Sequence, residues 1–179
     1  VSIYSSLFTG NAAANRGGAI RVSSGSTLRV VHGTFVGNTC ASTDPTRGGG
    51  GLLVQGRAEV ENSILWHNTT ANGDDTESSQ VKSDGGVLVL TSTCVEGLAA
   101  LVGTDLLGDD PLFVDEAGGD LRLQAISPLR EIGTGAAAAD LDDLDLDGNA
   151  RDWGCGPDLG AYEYATTGNL EVPGDLRTP

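Results

Sequence analysis

Short apolar segments alternate with polar turns along this chain, and the same segment returns at offsets of 27, 30 and 30 residues. Four successive copies align in five columns, of which three are apolar, one is small or polar and one is mostly asparagine. A repeat of this length in one register predicts stacked supersecondary units that bury their core against one another. The columns are Val1, Leu28, Ala58 and Leu88; Ile3, Val30, Val60 and Leu90; Ser5, His32, Asn62 and Ser92; Phe8, Phe35, Leu65 and Val95; Asn11, Asn38, Asn68 and Leu98.

The period within each copy indicates strands. Apolar positions such as Leu28 and Val30 alternate with outward positions, which is the two-residue period of a β-strand. Glycine turns at Gly25, Gly56 and Gly85-Gly86 separate the copies. Two or three short strands in each 27 to 30 residues, with no hairpin signal inside the repeat, predict an all-β parallel β-helix in which each strand pairs with its copy one coil away.

The asparagine column predicts a ladder at one corner of the coil. Side-chain amides of Asn11, Asn38 and Asn68 are expected to bond to one another and to turn backbone groups. Leu98 ends this series. His32 lies in the small or polar column, so we interpret it as a member of that stack and not as a catalytic base.

Several motifs carry a family resemblance. The repeats FxGN, GGAI and NSILW, followed by DDPLFVD (109–115), DLRLQAISPLREIG (120–133), DLDGNARDWG (145–154) and PDLGAYE (157–163), resemble the choice-of-anchor Q domain proteins. The glycine and FxxN repeats are shared with chlamydial polymorphic outer-membrane proteins and pectate-lyase-like folds, whereas the C-terminal series is specific. The resemblance implies a right-handed β-helix and a secreted or cell-surface bacterial protein.

The acidic charge is concentrated in the second half of the chain. The net charge is −15, and residues 96–179 carry 18 acids against 4 bases. We interpret residues 1–98 as β-helix coils, residues 99–164 as a closing coil with an acidic cap over the end, and residues 165–179 as a linker or tail. Such a surface repels phosphate backbones and anionic lipid, so we expect neither nucleic acid nor a membrane surface as a partner. No apolar run approaches the length that spans a bilayer, so we expect no membrane insertion. Three cysteines leave both pairing and redox compartment open.

One acidic stretch has the spacing of a calcium loop. Asp143, Asp145 and Asp147 precede Gly148, as in the first half of an EF-hand loop, but position twelve is Gly154 where a glutamate is required. A looser calcium site with Asp152 or Asp140 contributing is one interpretation. The other is a turn at Asp147-Gly148-Asn149, in which Asp145 or Asp147 pairs with Arg151.

Enzymes on this fold cut polysaccharides with paired carboxylates, or with a base and calcium. Asp109 and Asp110 are adjacent but would point in opposite directions from an extended segment. Trp66 and His67 beside the asparagine corner are candidates for a sugar-binding surface. We predict a noncatalytic extracellular module with a structural or adhesive role and a polysaccharide or cell-surface glycan as its partner; the alternative is a polysaccharide lyase or glycoside hydrolase.

The first residues predict an uncovered end. Val1, Ile3 and Phe8 already stand in the interior columns, so the first coil should present apolar side chains and unpaired strand edges. The chain contains no methionine, not even a first one. We therefore expect a fragment of a longer protein whose upstream coils, or a second stacked chain, cover this end.

Overall fold

The computed structural model describes residues 1–44, 46–71, 73, 76–134, 144–151 and 155–164. Nearly all of its regular structure is β. The only helix among the described residues is α1, which has four residues. No helix in this part of the chain is long and apolar enough to cross a membrane. In chain order the elements are β1 (Ser2–Thr9), β2 (Ala12–Ala13), β3 (Ile20–Val22), β4 (Thr27–Val36), β5 (Thr39–Cys40), β6 (Leu52–Val54), β7 (Arg57–Glu61), β8 (Ile64–Trp66), β9 (Thr69–Thr70), α1 (Glu77–Gln80), β10 (Val81–Ser83), β11 (Val87–Thr91), β12 (Cys94–Val95), β13 (Phe113–Asp115) and β14 (Asp120–Leu123).

The strands up to β12 form three parallel sheets stacked as about three turns of a β-solenoid. The first sheet has the order β11-β7-β4-β8-β12, with β1 paired to β4. The second sheet is β2-β5-β9 and the third is β3-β6-β10. Each strand therefore pairs with its copy in the neighbouring coil, and the predicted parallel β-helix is confirmed.

The pairing register is the one that the columns predict. Ile3 pairs with Val30, and Phe8 with Phe35, at the 27-residue offset. Strand β4 pairs with β7 and β8 at the 30-residue offset, as in the Phe35–Leu65 pair. The side-chain period of a strand is two, so a shift of one residue would have turned these columns to the outside.

Apolar side chains of the aligned columns fill the interior of the coils. Phe35 is 0% exposed, and its ring stacks on Phe8 at a centroid distance of 4.6 Å. Cys40 and Cys94 are buried free thiols and Cys155 is an exposed one. The core members are Val22, Leu28, Val30, Phe35, Leu52, Val54, Ala58, Val60, Leu65, Val81, Leu90 and Val95.

The repeated glycine pairs mark points where the backbones of successive coils approach closely. Gly17 has a φ of +57°, and a Cβ on Gly18 would lie 2.1 Å from the Gly50 carbonyl oxygen. Gly49 and Gly50 repeat this arrangement one coil later, with a φ of +80° at Gly49. Only glycine combines a left-handed turn with this lack of side-chain volume.

The C-terminal section closes the last coil and then packs along the side of the β-helix. Thr104 and Leu107 form parallel bridges to β11 and β12. Strands β13 and β14 then pair antiparallel. A second apolar cluster joins this hairpin to outward side chains of several coils; it contains Val36, Ile64, Trp66, Cys94, Phe113, Leu121, Leu123, Leu129 and Leu159.

This lateral position differs from the acidic cap expected over the end of the β-helix. Hydrogen bonds reach the first coil at Ser5, the second at Thr34 and the third at Asn62. The described part of residues 113–164 thus runs beside three coils, so a cap over the end is not confirmed. The tail 165–179 lies outside the described residues.

Candidate functional site

The three asparagines of the last column form a hydrogen-bonded ladder inside the corner. Asn11 donates its backbone N–H (3.0 Å) and its Nδ2 (2.8 Å) to Asn38 Oδ1. Asn38 makes the same two bonds to Asn68 Oδ1, at 3.0 and 2.8 Å. The amides of Asn38 and Asn68 also donate to the carbonyls of Phe8 and Phe35. The side chains of Asn38 and Asn68 therefore each satisfy one N–H and one carbonyl of the preceding coil, which buried polar groups require.

A residue outside the repeat supplies the fourth rung. Gln80 Oε1 accepts the backbone N–H (3.0 Å) and the Nδ2 (2.8 Å) of Asn68, where the column itself offers only Leu98. Gln80 Nε2 in turn donates to the Asn68 carbonyl and to Glu96 Oε2. The Glu96 carboxylate also accepts the backbone N–H of His67 at 2.7 Å. The ladder thus ends on a carboxylate at this side.

The Trp66–His67 pair does not present an open aromatic face. The Trp66 indole is 9% exposed and belongs to the lateral apolar cluster. His67 has a φ of +48°, at the position where Gly37 stands one coil earlier. Its half-exposed ring lies between two carboxylates, with Nδ1 2.6 Å from Glu116 Oε1 and Nε2 3.3 Å from Glu96 Oε1. Only the imidazole of this pair reaches solvent.

The small or polar column is a second corner in which every residue adopts the left-handed conformation. The φ angles of Ser5, His32, Asn62 and Ser92 lie between +40° and +54°. Asn62 Nδ2 donates to His32 Nε2 at 3.2 Å. Burial, assisted by the charge of Arg151, lowers the pKa of His32 to about 3. His32 is therefore neutral at pH 7. Because its side chain is 1% exposed, we interpret it as a structural residue of this corner.

The C-terminal section docks on this corner through a buried polar junction. Arg151 is 5% exposed and donates to the Ala161 carbonyl (2.9 Å) and to Ser5 Oγ (3.1 Å). Its Nη1 lies 3.7 Å from Glu163 Oε2. Burial and the neighbouring Asp158 carboxylate raise the pKa of Glu163 to about 7. Desolvation therefore outweighs the attraction of the guanidinium for this carboxylate.

Two of the candidate calcium ligands are already occupied by donors. Asp145 accepts four N–H groups, from the Asp147, Asn149 and Glu163 backbones and from the Asn149 amide. Both oxygens of Asp147 accept from Arg122, at 2.7 and 2.8 Å. N–H donors and a guanidinium surround these carboxylates, and such a shell does not fit a cation.

The rest of the predicted calcium loop is not described. Asp143, Asp152 and the alternative ligand Asp140 lie outside the described residues. Within the described ranges, no three or more His, Cys, Asp or Glu side chains converge as metal ligands. The turn interpretation predicted a pairing of Asp145 or Asp147 with Arg151; the structure has the turn, but Asp147 pairs with Arg122 instead.

A cavity of about 280 Å³ opens beside this turn, and both apolar and polar side chains line it. The Arg130 guanidinium covers the ring of Tyr164 at 3.9 Å, and that of Arg122 lies 4.8 Å from the ring of Tyr162. The cavity therefore combines an aromatic ring with fixed hydrogen-bonding groups. It is lined by Val114, Arg122, Leu123, Asp147, Asn149, Glu163 and Tyr164.

Gln80, Glu96 and Arg122 hold these sites together, and the sequence analysis did not single out any of them. Gln80 and Arg122 lie outside the repeat columns, so periodicity carries no signal for them. The break at Leu98 was the available clue, because a ladder that ends in a leucine leaves a buried carboxamide for another residue to satisfy. Of the adjacent acids Asp109 and Asp110, Asp110 has a structural role, because its Oδ1 accepts the backbone N–H of Leu112.

Comparison with known proteins gives one short match. Residues 5–23 match the Chlamydia polymorphic membrane protein repeat. This stretch covers about two thirds of the first turn of the solenoid, from Ser5 within β1 through the rung Asn11 and the glycine pair to just past the end of β3. No curated protein and no solved structure matches the chain. The match and the solenoid fit a surface-exposed β-helix protein, and the resemblance to choice-of-anchor Q domains stays a prediction.

Proposed function

We propose that this chain is a structural or adhesive module on a bacterial surface and that it binds a glycan without cutting it. The repeat match over residues 5–23 and the stacked coils support a surface-exposed β-helix. The glycan contact and the adhesive role go beyond what these two observations support, and they are the part of the proposal that needs a test.

One observation supports the noncatalytic part of the proposal: four carboxylates of the described chain accept structural hydrogen bonds or form an ion pair. Glu77 Oε2 accepts three consecutive backbone N–H groups at 2.8 to 2.9 Å. Glu96 closes the asparagine ladder, Asp145 organises its own turn, and Asp147 pairs with Arg122. At Glu77 and Asp145 burial opposes ionisation, but the accepted N–H groups outweigh it and lower the pKa of both carboxyls, which makes them weak general bases.

The cavity beside Tyr164 is the best candidate for the glycan contact. A sugar presents apolar C–H faces and a ring of hydroxyl groups. Such a ligand needs an aromatic or apolar floor and a few oriented polar groups. Val114, Leu123 and Tyr164 offer the apolar and aromatic lining, although Arg130 covers one face of the Tyr164 ring, and the Arg122–Asp147 pair and Asn149 offer the polar groups. The buried indole of Trp66 cannot stack on a sugar, so the expected Trp66–His67 surface is reduced to the His67 ring.

Co-sedimentation with insoluble polysaccharides tests this contact. The intact protein is mixed with acidic and neutral glycans, and the bound fraction is measured for the unmodified chain and for Tyr164→Ala. Tyr4→Ala is the matched control, because Tyr4 lies on β1 and does not line the cavity. We expect Tyr164→Ala to lose at least tenfold in affinity while the control binds normally. Equal binding by both variants, or no binding by the unmodified chain, would contradict the proposed contact.

A polysaccharide-active enzyme is the second candidate, and one observation favours it. Glu163 and Asp147 line the same cavity, and the pKa of Glu163 is raised to about 7. Glycoside hydrolysis uses two carboxyl groups in one site, one of which has a raised pKa and acts as the general acid. Reducing ends or unsaturated products released by the unmodified chain, and abolished in Glu163→Gln, would support this candidate. Intact glycan after prolonged incubation favours the binding module.

A further inference from the structure

Arg122 lines the cavity beside Tyr164, and two carboxylates already engage its guanidinium. Nε donates to Asp147 Oδ2 at 2.7 Å, and Nη2 donates to Asp147 Oδ1 at 2.8 Å. The third nitrogen, Nη1, donates to Asp120 Oδ1 at 2.9 Å. One positive charge is thus shared by two negative ones, so none of the described lining residues offers an uncompensated cation to a bound anion.

Two other guanidiniums lie near the cavity, and each has a carboxyl partner. Arg130 covers the Tyr164 ring, and its Nη2 lies 3.8 Å from Glu131 Oε1. Arg151 Nη1 lies 3.7 Å from Glu163 Oε2. These positive charges are therefore offset within the protein.

The carboxyl groups of this region outnumber the guanidiniums. Asp145 accepts the backbone N–H of Glu163, and Asp158 accepts that of Tyr164, so both belong to the same region. Burial raises the pKa of Asp158 and of Glu163, but with both protonated four carboxylates still face three guanidiniums. The described acids are Asp120, Glu131, Asp145, Asp147, Asp158 and Glu163, and the described bases are Arg122, Arg130 and Arg151. The region is therefore negative in either protonation state.

The hydrogen-bonding groups of the lining suit hydroxyls. Arg122 keeps two of its five N–H groups, and each oxygen of Asp147 accepts one bond from it and can accept another. Asn149 Nδ2 donates to Asp145 Oδ2 at 3.1 Å, which leaves one N–H and the Oδ1 acceptor. The lining thus presents donors and acceptors together. A hydroxyl group uses both, whereas a carboxylate only accepts.

We propose that the cavity beside Tyr164 takes neutral, hydroxyl-rich sugar units in preference to uronic acids, and that the Asp120 carboxylate sets this preference. The inference rests on the proposed glycan contact and narrows its ligand class. Without Asp120, the Arg122–Asp147 pair has no net charge. With Asp120, the three groups carry one negative charge, which repels a sugar carboxylate and leaves uncharged hydroxyls unaffected.

Asp120→Asn tests the role of this carboxylate. The substitution keeps an Oδ1 that can accept the backbone N–H and the Nη1 of Arg122, and it removes one negative charge. Glu59→Gln is the matched control, because Glu59 pairs with Arg57 two residues away at 2.7 Å and does not line the cavity. Both variants change the net charge of the chain equally, so only a local effect distinguishes them.

Binding to immobilised polysaccharides is measured for the unmodified chain and both variants. Polygalacturonate and alginate are each used as the acid and as the methyl ester, which keeps the backbone and removes the charge. A neutral β-glucan and a neutral mannan complete the panel. The ionic strength is about 0.01 M, where the screening length is about 30 Å, so electrostatic repulsion remains measurable.

We expect the unmodified chain to bind neutral members of the panel at least about tenfold more tightly than the uronates. Asp120→Asn should tighten uronate binding about fivefold, as expected for one charge removed at about 6 Å in a largely aqueous site, and should leave neutral binding unchanged. Glu59→Gln should behave as the unmodified chain does.

Each other outcome identifies the step that fails. Uronate binding that equals or exceeds neutral binding would overturn this inference and leave the glycan contact standing. Unchanged uronate binding by Asp120→Asn, or weaker neutral binding by this variant, would overturn the assignment of Asp120. If the unmodified chain binds no member of the panel, the proposed function itself is contradicted.

Discussion

The buried His32 predicts a pH dependence of stability that one substitution should remove. His32→Asn places at this corner the residue that the next coil carries at the equivalent position, Asn62, with a φ of +48°. Asparagine adopts the left-handed conformation more readily than most residues, and it does not titrate. The variant should therefore keep the turn and lose only the ionisable ring.

The magnitude follows from the pKa of this ring. Burial and the charge of Arg151 lower the pKa of His32 from 6.5 to about 3. Between these values the unfolded chain binds a proton that the folded chain does not, so the free energy of unfolding falls as the pH is lowered. Each pH unit corresponds to about 1.4 kcal/mol once the unfolded-state histidine is fully protonated, and it is only half protonated at pH 6.5. The unmodified chain should therefore lose about 2 kcal/mol relative to His32→Asn between pH 6.5 and 4.5.

Glu163 titrates over the same range with the opposite sign. Its pKa of about 7 means that the folded chain holds a proton which the unfolded chain releases above pH 4.5. The stability therefore falls as the pH rises from 4.5 to 7. Both proteins in the His32 comparison contain Glu163, so its contribution cancels in their difference. Repeating the comparison with Glu163→Gln in both proteins checks that the two effects are independent.

Urea denaturation at pH 7.0, 6.0, 5.0 and 4.5 measures this difference. At each pH the free energy of unfolding is determined for the unmodified chain and for His32→Asn. Volume and packing effects of the substitution do not depend on pH, so only the slope of the difference matters. Two curves that stay parallel from pH 7.0 to 4.5 would refute the assignment of His32 as a buried neutral ring.

Three further predictions concern packing, strain and calcium. Phe35→Ala should lower the free energy of unfolding by about 3–5 kcal/mol, because Phe35 is fully buried against Phe8; a neutral effect in urea denaturation would mean that the columns face the other way. His67→Gly should be more stable than His67→Ala by about 1 kcal/mol, because the left-handed position disfavours a Cβ; equal melting midpoints would contradict this. A chelator should leave the melting temperature unchanged, because Asp145 and Asp147 are occupied by donors; a clear decrease would instead support a calcium site completed outside the described residues.

The coil interior was predictable because one column position has one environment in every turn. Pairs such as Phe8 with Phe35 and Val30 with Val60 occupy equivalent places, so their shared apolar character is visible as a period in the sequence. The parallel register follows from the same period. The left-handed corner at His32 carried a signal too, since histidine and asparagine are enriched in that conformation, but we interpreted the column only as a polar stack.

The lateral contacts could not be predicted in the same way. Arg122 pairs with Asp147, and Arg151 docks on Ser5 from the other end of the chain. Each of these contacts occurs once, so no repetition marks it. The burial of Trp66 also depends on a nonrepeating hairpin that covers it. From the sequence alone Trp66 looks like a surface residue, because its burial depends on a hairpin whose position the repeat does not predict.

The central claim of this account is that an asparagine ladder fixes the stacking of the coils, and a double-mutant cycle measures it directly. Asn38→Ser and Asn68→Ser are made singly and together, and the free energy of unfolding is determined for each. Adjacent rungs share two hydrogen bonds, so we expect a coupling of about 1–2 kcal/mol between them. The same cycle for Asn11 and Asn68, which share none, should give a coupling near zero. Additive effects at the adjacent rungs, or equal coupling in both cycles, would contradict the ladder.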